Sequence, residues 1–580
     1  METRDLFTQS GIIITLLLIL LPVLTAVVLI IIKANSAIKE YKMGVKVENF
    51  NTYLKRLSIE EINQLKRRQE EQEYSLNNNE LGSNLPPADK KGLIHNIIEE
   101  PGLHFIETKK KAQPKHHIAP ELARLIVWYL ACGAFWLIFG TTVGEYLGIK
   151  FSAPDIDHIS WLSFGRLRPV HTNAVFWGWA SISMMGLAYY VVPRISNTAI
   201  HHIKWGYHTL VAMNAAVIIG TISLMAGINN GGGEYREYTW PVMCLFGYGI
   251  VLSLVNFLRT ISKRTTNEIY VSNWYIISAL MFLLVIVGVA YLPTWQKGLG
   301  ETIIQGYYMH QGVGMWFMLF CLGLMYYFLP QQLNKPIYSY GLGILAFWAQ
   351  ILFYTLIGTH HFIFSAIPWW LQTVAIIGSA GMLIPVIAGT TNFILTFNGT
   401  WNKVAHSYTL PFYLTGIIFY FTGSLQGTVE AFRFTNLLWH FTDFTVAHSH
   451  LTMYGIITFM LWAFIYTLVP RLTGHEPSHI AVGIHFWLAL IGLLFYTIPL
   501  MIGATFKGLS WMDGKPFMES VVLMKPYWLW RAIGGSLMWL SHLVFIYNFY
   551  RMVKGRMEAN IPTTAKDILK AKEKLETATF

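Results

Sequence analysis

Charged side chains are scarce in this sequence. Asp, Glu, Lys and Arg make up 13% of its 580 residues, whereas soluble domains carry about 25%. Hydrophobic residues reach 54%, with 21 Trp, 30 Tyr and 36 Phe. A chain this apolar is expected to bury its side chains in a bilayer, with aromatic residues at the membrane interfaces. The net charge of +11 then indicates basic cytoplasmic loops rather than binding to nucleic acid.

Cysteine is also rare. Cys132, Cys244 and Cys321 all lie within apolar runs, and none of them belongs to a C-x-x-C pair. Neither a disulfide framework nor a cysteine metal site is indicated. The sequence has no C-x-x-C-H motif, so any covalently attached c-type heme is expected on a partner chain.

Long apolar runs dominate what is present. Runs of about 20 apolar residues are long enough to cross a membrane as helices. The first is read as a span rather than a signal peptide, because lysines follow it and no basic region precedes it. Thirteen spans are predicted, at about 12–32, 125–143, 170–192, 207–228, 242–258, 274–292, 308–329, 340–362, 374–397, 410–429, 444–469, 482–505 and 528–550.

These runs divide the chain into four parts. We predict an N-terminal transmembrane helix in 1–35, a polar cytoplasmic linker in 36–121, a twelve-helix domain in 122–555 and a basic cytoplasmic tail in 556–580. Within the linker, Ser58 and Glu61 have the spacing of a capping box, and Leu57 and Ile62 have that of a hydrophobic staple. One short soluble helix is therefore expected over residues 58–74.

Basic residues predict which loops face the cytoplasm. They recur after every second span of the twelve-helix domain, which makes those loops cytoplasmic by the positive-inside rule. Non-cytoplasmic loops also carry some basic residues, so the bias is moderate. The cytoplasmic set is Arg194, Lys204, Arg259, Lys263, Arg264, Lys335, Lys403, Arg471 and the tail from Arg551.

Histidines inside the predicted spans are the main candidates for chemistry. A polar side chain in a membrane is costly and is therefore a functional candidate. A single such histidine is as easily explained by a hydrogen bond to a neighbouring helix. Under the predicted topology, however, six of them fall in the outer part of the bilayer, and a layer of metal centres explains this: His171, His310, His360, His361, His448 and His450.

Helical spacing separates these histidines into groups. His448 and His450 point to nearly opposite sides of an α-helix with about 3.6 residues per turn, so they can ligate two different metal centres. His360 and His361 lie about 100° apart on their predicted helix. With His310 they would form a three-imidazole site, and imidazole nitrogens favour copper.

Five sequence segments carry a specific resemblance. Over about residues 122–555 the chain resembles the catalytic subunit of the C-family, cbb-type cytochrome c oxidases, within the heme-copper oxidase superfamily. That resemblance implies an all-α polytopic fold with a twelve-helix bundle, to which this chain adds the N-terminal helix. The matching segments are GRLRPVHTNA at 165–174, YMHQGVG at 308–314, MYYFLP at 325–330, YTLIGTHH at 354–361 and HFTDFTVAHSH at 440–450.

The resemblance implies two hemes. His171 and His450 would be the axial ligands of a low-spin heme b. His448 would be the proximal ligand of a high-spin heme b, where the gas binds. Arg168 would pair with a heme propionate, as a bidentate cation can. Arg166 and His440 are weaker candidates for the same region.

The resemblance also implies one copper ion opposite the high-spin heme, held by His310, His360 and His361. The tyrosine at the place of Tyr354 is, in this family, covalently joined to the histidine that corresponds to His310. It can give an electron and a proton together when the O–O bond breaks. An ordinary interfacial tyrosine is the alternative interpretation of Tyr354.

Two departures from the family pattern bear on proton transfer. Gln426 stands where the family usually has a glutamate, and Glu430 lies one helical turn further on. Gly343 and Ala346 replace residues that are polar in relatives on the span 340–362. A cytoplasmic proton path is expected along this span and the preceding one, with three tyrosines as candidate members: Tyr326, Tyr340 and Tyr354.

Oxygen reduction to water by a proton-translocating cytochrome c oxidase is the favoured function. Nitric oxide reduction by the same superfamily is the alternative; such enzymes typically carry a glutamate where this chain has Gly314, and they lack the tyrosine found here as Tyr354. A transporter is a third hypothesis, but no internal repeat supports it. Cytochrome c as electron donor, membrane-anchored c-type cytochrome partners and a multi-pass location in a bacterial inner membrane are expected.

Overall fold

A computed structural model describes residues 54–72, 118–231, 233–292, 297–554, 569–570, 572–573 and 576–577. Within these ranges the chain is helical and contains no strand. The predicted span 12–32 and most of the basic tail lie outside the described residues.

Sixteen helices are numbered here in chain order, and two 3-10 turns lie between them, at Ser160–Leu162 and Gly358–Phe362. The helices are α1 Ile59–Gln72, α2 Pro120–Ser152, α3 Phe164–Ser196, α4 Ile203–Met225, α5 Trp240–Ser262, α6 Val271–Tyr291, α7 Leu299–Leu333, α8 Tyr340–Tyr354, α9 Trp369–Gly381, α10 Leu383–Thr396, α11 Asn402–His406, α12 Leu410–Glu430, α13 Arg433–Trp439, α14 Asp443–Thr473, α15 His479–Met512 and α16 Phe517–Lys554.

The prediction of an all-helical, multi-span membrane protein is confirmed. In the part of the chain that is described, ten helical segments are long and apolar enough to cross a membrane, when α9 and α10 are taken as one. Each of the twelve spans predicted between residues 122 and 555 overlaps helical residues, and the span 374–397 covers both α9 and α10. The two outside the ten are α8, with 15 residues, and α12, with 21.

Three helices form the centre of the bundle. The apolar stretches of α3, α7 and α14 are 94% buried, whereas those of the other spans are 33–50% buried. A helix that is apolar on all sides and also buried must be surrounded by other helices rather than by lipid. The outer helices therefore shield α3, α7 and α14, which carry four of the six predicted histidine ligands.

Each central helix contains a π-helical segment. The segments are Ala174–Ala180 in α3, Gly312–Met318 in α7 and Leu451–Thr458 in α14. Such segments are rare in proteins and occur frequently at functional sites. In all three helices the π-helical segment begins within three residues after a predicted ligand.

The prediction of one continuous helix over 340–362 is wrong. Helix α8 ends at Tyr354, and His360 and His361 lie on the 3-10 turn Gly358–Phe362. A side chain at Gly358 would meet the backbone of Tyr307 at 2.7 Å. The chain thus leaves the α-helical path where it passes close to α7, and the two histidines do not have α-helical spacing.

The short helix predicted over residues 58–74 is present as α1, Ile59–Gln72. The Glu61 amide donates to Ser58 Oγ at 3.2 Å, and the Ser58 amide donates to Glu61 Oε2 at 2.8 Å. Leu57 is buried and Ile62 packs in the same small cluster, which includes Leu569 of the tail. The reciprocal bonds form the predicted capping box.

Candidate metal centres

Two histidines from different central helices face each other across a cavity. The imidazole rings of His171 and His450 are 6.3 Å apart, centroid to centroid, and are within 14° of parallel. Metal–imidazole bonds are about 2 Å long, so two rings that ligate one metal ion from opposite sides lie about 6 Å apart. The pair therefore has the spacing of axial ligands to a single iron.

Hydrogen bonds to the backbone orient both rings. His171 Nδ1 donates to the Gly140 carbonyl at 2.7 Å, and His450 Nδ1 donates to the Val446 carbonyl at 2.8 Å. These bonds leave each Nε2 free for a metal, as in most histidine metal sites. Gly144 makes room for the His171 ring, because a Cβ at residue 144 would overlap the imidazole.

The cavity around this pair carries charge at its rim. Arg168 and Arg531 line it together with His171 and His450. Arg168 Nη2 forms a salt bridge of 2.7 Å with Glu234, which also lines the cavity. Two guanidinium groups beside the cavity fit a ligand with carboxylate groups, such as the propionates of a heme.

Three further histidines form a compact cluster. The ring centroids of His310, His360 and His361 are 4.4–5.0 Å apart. One ligand nitrogen from each lies within 4.8 Å of the others, which is close enough to hold one metal ion. The structure thus brings together the three residues predicted to bind copper, although two of them come from a turn rather than a helix.

The donor set of this cluster fits a copper ion. His360 Nδ1 donates to the Ser379 hydroxyl at 2.7 Å, and this hydroxyl donates to the Ala375 carbonyl, which leaves His360 Nε2 for a metal. The Nδ1 atom of His310 is buried and has no hydrogen-bond partner among the described residues. Buried polar atoms are normally paired, so a metal ion would satisfy this nitrogen.

Tyr354 lies against the three-histidine cluster. Its ring centroid is 4.8 Å from that of His310, and Gln311 Nε2 donates to its backbone carbonyl at 2.6 Å. The ring fills the space above Gly314, where a Cβ would overlap its Cε1 and Cζ atoms. A tyrosine in this position and a side chain at residue 314 therefore exclude each other.

His448 occupies a separate polar environment on the other side of α14. Its Nδ1 donates to Gln426 Oε1 at 2.9 Å, and Glu430 Oε1 lies 3.5 Å from the same nitrogen. Gln426 thus orients the His448 ring with its amide oxygen, while Glu430 is at the edge of hydrogen-bond range.

The tyrosines of the predicted proton path lie on α7 and α8, with Tyr340 at the first and Tyr354 at the last residue of α8. The ring of Tyr326 packs over Gly343, where a Cβ would lie 3.2 Å from it. The Tyr326 hydroxyl is buried without a hydrogen-bond partner among the described residues, and the Tyr340 ring stacks on Tyr270 at 5.7 Å. Tyr270, which donates to the Tyr326 carbonyl at 3.1 Å, was not among the predicted members.

Sequence reasoning also missed several charged residues near the sites. Arg531 lies in a predicted span, where its charge alone could have marked it. Glu237 accepts a hydrogen bond of 2.9 Å from Asn173, two residues after His171. Burial raises the pKa of this loop carboxyl to about 7. Among the weaker candidates, Arg166 donates to the Met225 carbonyl and His440 contacts Asn436, so neither lines the cavity of His171 and His450.

Comparisons with known proteins agree with this arrangement. Residues 124–537 match the family model described as Cytochrome C and Quinol oxidase polypeptide I. The Cbb3-type cytochrome c oxidase subunit CcoN1 of Stutzerimonas stutzeri is 31% identical over 451 residues, covering 74% of this chain and 95% of that protein. A cytochrome c oxidase subunit 1 homolog of Agrobacterium tumefaciens is 30% identical, covering 73% of this chain and 82% of that protein.

A solved structure supports the fold. The cryo-EM structure of a heme-copper terminal oxidase dimer superposes with a TM-score of 0.64 at 15% identity. The match covers 79% of this chain and 90% of that chain.

Proposed function

The chain belongs to the Cytochrome C and Quinol oxidase polypeptide I family, among the relatives of the cbb-type oxidases, and we propose that it reduces oxygen to water as a catalytic subunit. Members of this family are oxidoreductases that bind hemes and copper. The proposal rests on one observation: the ring of Tyr354 lies against His310 in a cluster of three histidines and occupies the space above Gly314.

The histidines would hold three groups. His171 and His450 would bind a low-spin heme b, and His448 would bind a high-spin heme b. His310, His360 and His361 would bind one copper ion. When bound, these groups supply electron transfer and the binding and reduction of the gas. Arg168 and Arg531 would hold the propionates of the low-spin heme at the cavity rim.

The protein side chains then have distinct tasks. Tyr354 is partly buried next to the proposed copper ligands and can release one electron and one proton from its hydroxyl group. The amide oxygen of Gln426 accepts the Nδ1 proton of His448 at 2.9 Å, which fixes the imidazole and makes it a stronger donor to iron. Protons for water formation would arrive from the cytoplasm past Tyr340 and Tyr326.

The tyrosine also favours oxygen over nitric oxide. A carboxylate at residue 314, which would help to hold iron in a nitric oxide reductase, cannot coexist with the Tyr354 ring in this position. Histidine alone then surrounds the third metal, and all-nitrogen donor sets favour copper over other divalent ions. We assign electron delivery to cytochrome c through membrane-anchored c-type cytochrome subunits in a bacterial inner membrane.

Metal analysis together with gas turnover tests this proposal. We expect one copper for two hemes in the purified complex, with oxygen consumed and little turnover of nitric oxide. Tyr354→Phe should lose oxygen turnover while it keeps copper and both heme spectra. Tyr550→Phe, a change at an exposed tyrosine, is the matched control and should behave as the native protein.

Two results would contradict the proposal of oxygen reduction. Iron without copper at the three-histidine site, together with nitric oxide turnover, would overturn the assignment in favour of nitric oxide reduction. A Tyr354→Phe variant with native oxygen turnover would show that Tyr354 has no part in the reaction.

A further inference from the structure

A second group of buried histidines and tyrosines lies apart from the metal ligands, where α14, α15 and α16 pack together. His485 and His542 are 0% and 1% exposed, and Tyr454 and Tyr466 are also buried. None of the four has a part in the proposed chemistry. A buried titratable group inside a membrane protein is costly and commonly belongs to a proton relay.

One end of this group forms part of the wall of the His171–His450 cavity. His542 Nδ1 donates to Thr141 Oγ1 at 3.0 Å, and His542 Nε2 lies 3.1 Å from the Tyr454 hydroxyl. Thr141, Tyr454 and His542 all line the cavity between the two axial histidines. His542 is thus a nonligating imidazole, bonded through both nitrogens, at the site assigned to the low-spin heme.

The other end approaches the surface at the C-terminal end of α14, near Arg471, a side predicted to be cytoplasmic. Tyr466 Oη bonds His485 Nδ1 at 3.0 Å and accepts from Asn548 Nδ2 at 3.2 Å. The Tyr408 ring lies 6.4 Å from that of Tyr466 and 4.7 Å from that of His479. The His479 side chain is 61% exposed, so this sequence of rings begins at solvent.

Trp462 lies between the two halves of this group, one containing Tyr454 and His542 and the other containing Tyr466 and His485. Its ring centroid is 4.3 Å from that of His485 and 5.7 Å from that of His542. Within the described part of the chain, His485 Nε2 and Trp462 Nε1 are buried without a hydrogen-bond partner. Ordered water usually satisfies such buried polar groups. Two unpaired nitrogens at the same junction therefore point to bound water that connects the halves.

We propose that Tyr408, Tyr466, His485, Tyr454 and His542 form a proton-conducting line from the cytoplasmic surface to the low-spin heme pocket. We call this line the His485–His542 relay. The relay is separate from the tyrosines of α7 and α8. Each imidazole takes up one proton on one nitrogen and releases one from the other. Each hydroxyl accepts one proton and donates one. One proton enters at the Tyr408 end and one is delivered at His542, where it balances the charge of an electron that reaches the heme.

Charged groups lie at both ends of the relay. At the cavity, Glu145 of α2, Asp443 of α14 and Arg531 of α16 share the wall with His542. At the surface, Glu476 pairs with His479, and Arg471 is the last buried residue of α14. Around His485 itself the contacts are aromatic, from Phe412 of α12, Trp462 of α14 and Phe545 of α16.

The test uses the complete oxidase complex in sealed vesicles, with an electron injected by a light flash. In the native protein, reduction of the low-spin heme should be accompanied by proton uptake from the cytoplasmic side and slowed in D2O. His485→Phe should slow this uptake by at least about 100-fold, the usual contribution of a positioned proton-transfer group. Tyr466→Phe, which removes only the hydroxyl bonded to His485, should slow it similarly. Both should leave the low-spin heme spectrum unchanged.

His208→Phe is the matched control, because His208 is exposed on α4, and it should leave proton uptake at the native rate. Native uptake kinetics in both His485→Phe and Tyr466→Phe would overturn the relay. The inference rests on the proposed heme ligation by His171 and His450. Because the flash experiment requires no oxygen, a complex that keeps its low-spin heme but reduces no oxygen would refute the proposed function alone. A complex without a low-spin heme would refute both.

Discussion

Replacing Gly314 with alanine tests the central geometric argument about Tyr354. The alanine Cβ would lie within 3.0 Å of two ring carbons and the hydroxyl oxygen of Tyr354. The ring has to move by roughly 2 Å to reach ordinary contact distances of about 3.5 Å. Since residue 314 is enclosed in the π-helical segment of α7, the ring rather than the backbone is expected to move, away from its place beside His310.

The expected effect on turnover follows from that displacement. A misplacement of about 1 Å in a reacting group can cost about 100-fold in rate, so Gly314→Ala should lower oxygen turnover by at least about 100-fold. Copper content and the low-spin heme spectrum should remain native, because neither the three histidines nor the His171–His450 pair is touched. The assay is oxygen consumption with excess electron donor, together with metal analysis and visible spectra.

Gly288→Ala serves as the matched control. Gly288 also lies in a transmembrane helix, but nothing lies within 4 Å of a Cβ added there, so this variant should retain native turnover. Native turnover in Gly314→Ala would refute the reasoning, because it would mean that the position of the Tyr354 ring is unimportant. Loss of copper in this variant would instead show that the glycine supports the metal ligands.

Three further predictions concern other parts of the molecule. His448→Ala should lose the high-spin heme spectrum and all turnover, whereas His450→Ala should lose only the low-spin spectrum and keep gas binding; native spectra in both would contradict the ligand assignment. Gln426→Glu places a carboxylate against the His448 N–H group and should lower the midpoint potential of the high-spin heme in a redox titration, because a more basic imidazole stabilises the oxidised iron. The Lys150 ammonium at 2.7 Å holds the pKa of Asp157 at about 2. The stabilisation is complete above the ordinary pKa of 3.8 and is lost as the pH falls toward 2, so Asp157→Asn should lower the melting temperature at pH 7 but not near pH 2.

The sequence was sufficient to predict the helices and the group of candidate ligands. Apolar runs of membrane length are a strong signal, because the bilayer leaves few structures other than helices for a spanning segment. The six histidines were identifiable because polar residues are rare in such runs. The resemblance also implied the facing pair and the cluster of three, but the geometry of both depends on how α3, α7, α14 and the turn Gly358–Phe362 pack, which only the structure shows.

Other features could not be predicted from helical periodicity. The turn that carries His360 and His361 depends on the close approach of Gly358 to α7, which is a tertiary contact. The pairing of Arg168 with Glu234 joins residues 66 positions apart, and no local pattern signals it. The packing of the Tyr354 ring over Gly314 likewise appears only when α7 and α8 are placed side by side.

The π-helical segments of α3, α7 and α14 limit the lengths that these helices can have. Each π-helical segment accommodates more residues per turn than an α-helix does. If a deletion returned a segment to α-helical geometry, the remainder of the helix would rotate by about 100° and shift by about 1.5 Å relative to the histidine before it. Single-residue deletions between His171, His310 or His450 and the cytoplasmic ends of their helices should therefore be tolerated far less than substitutions at the same positions.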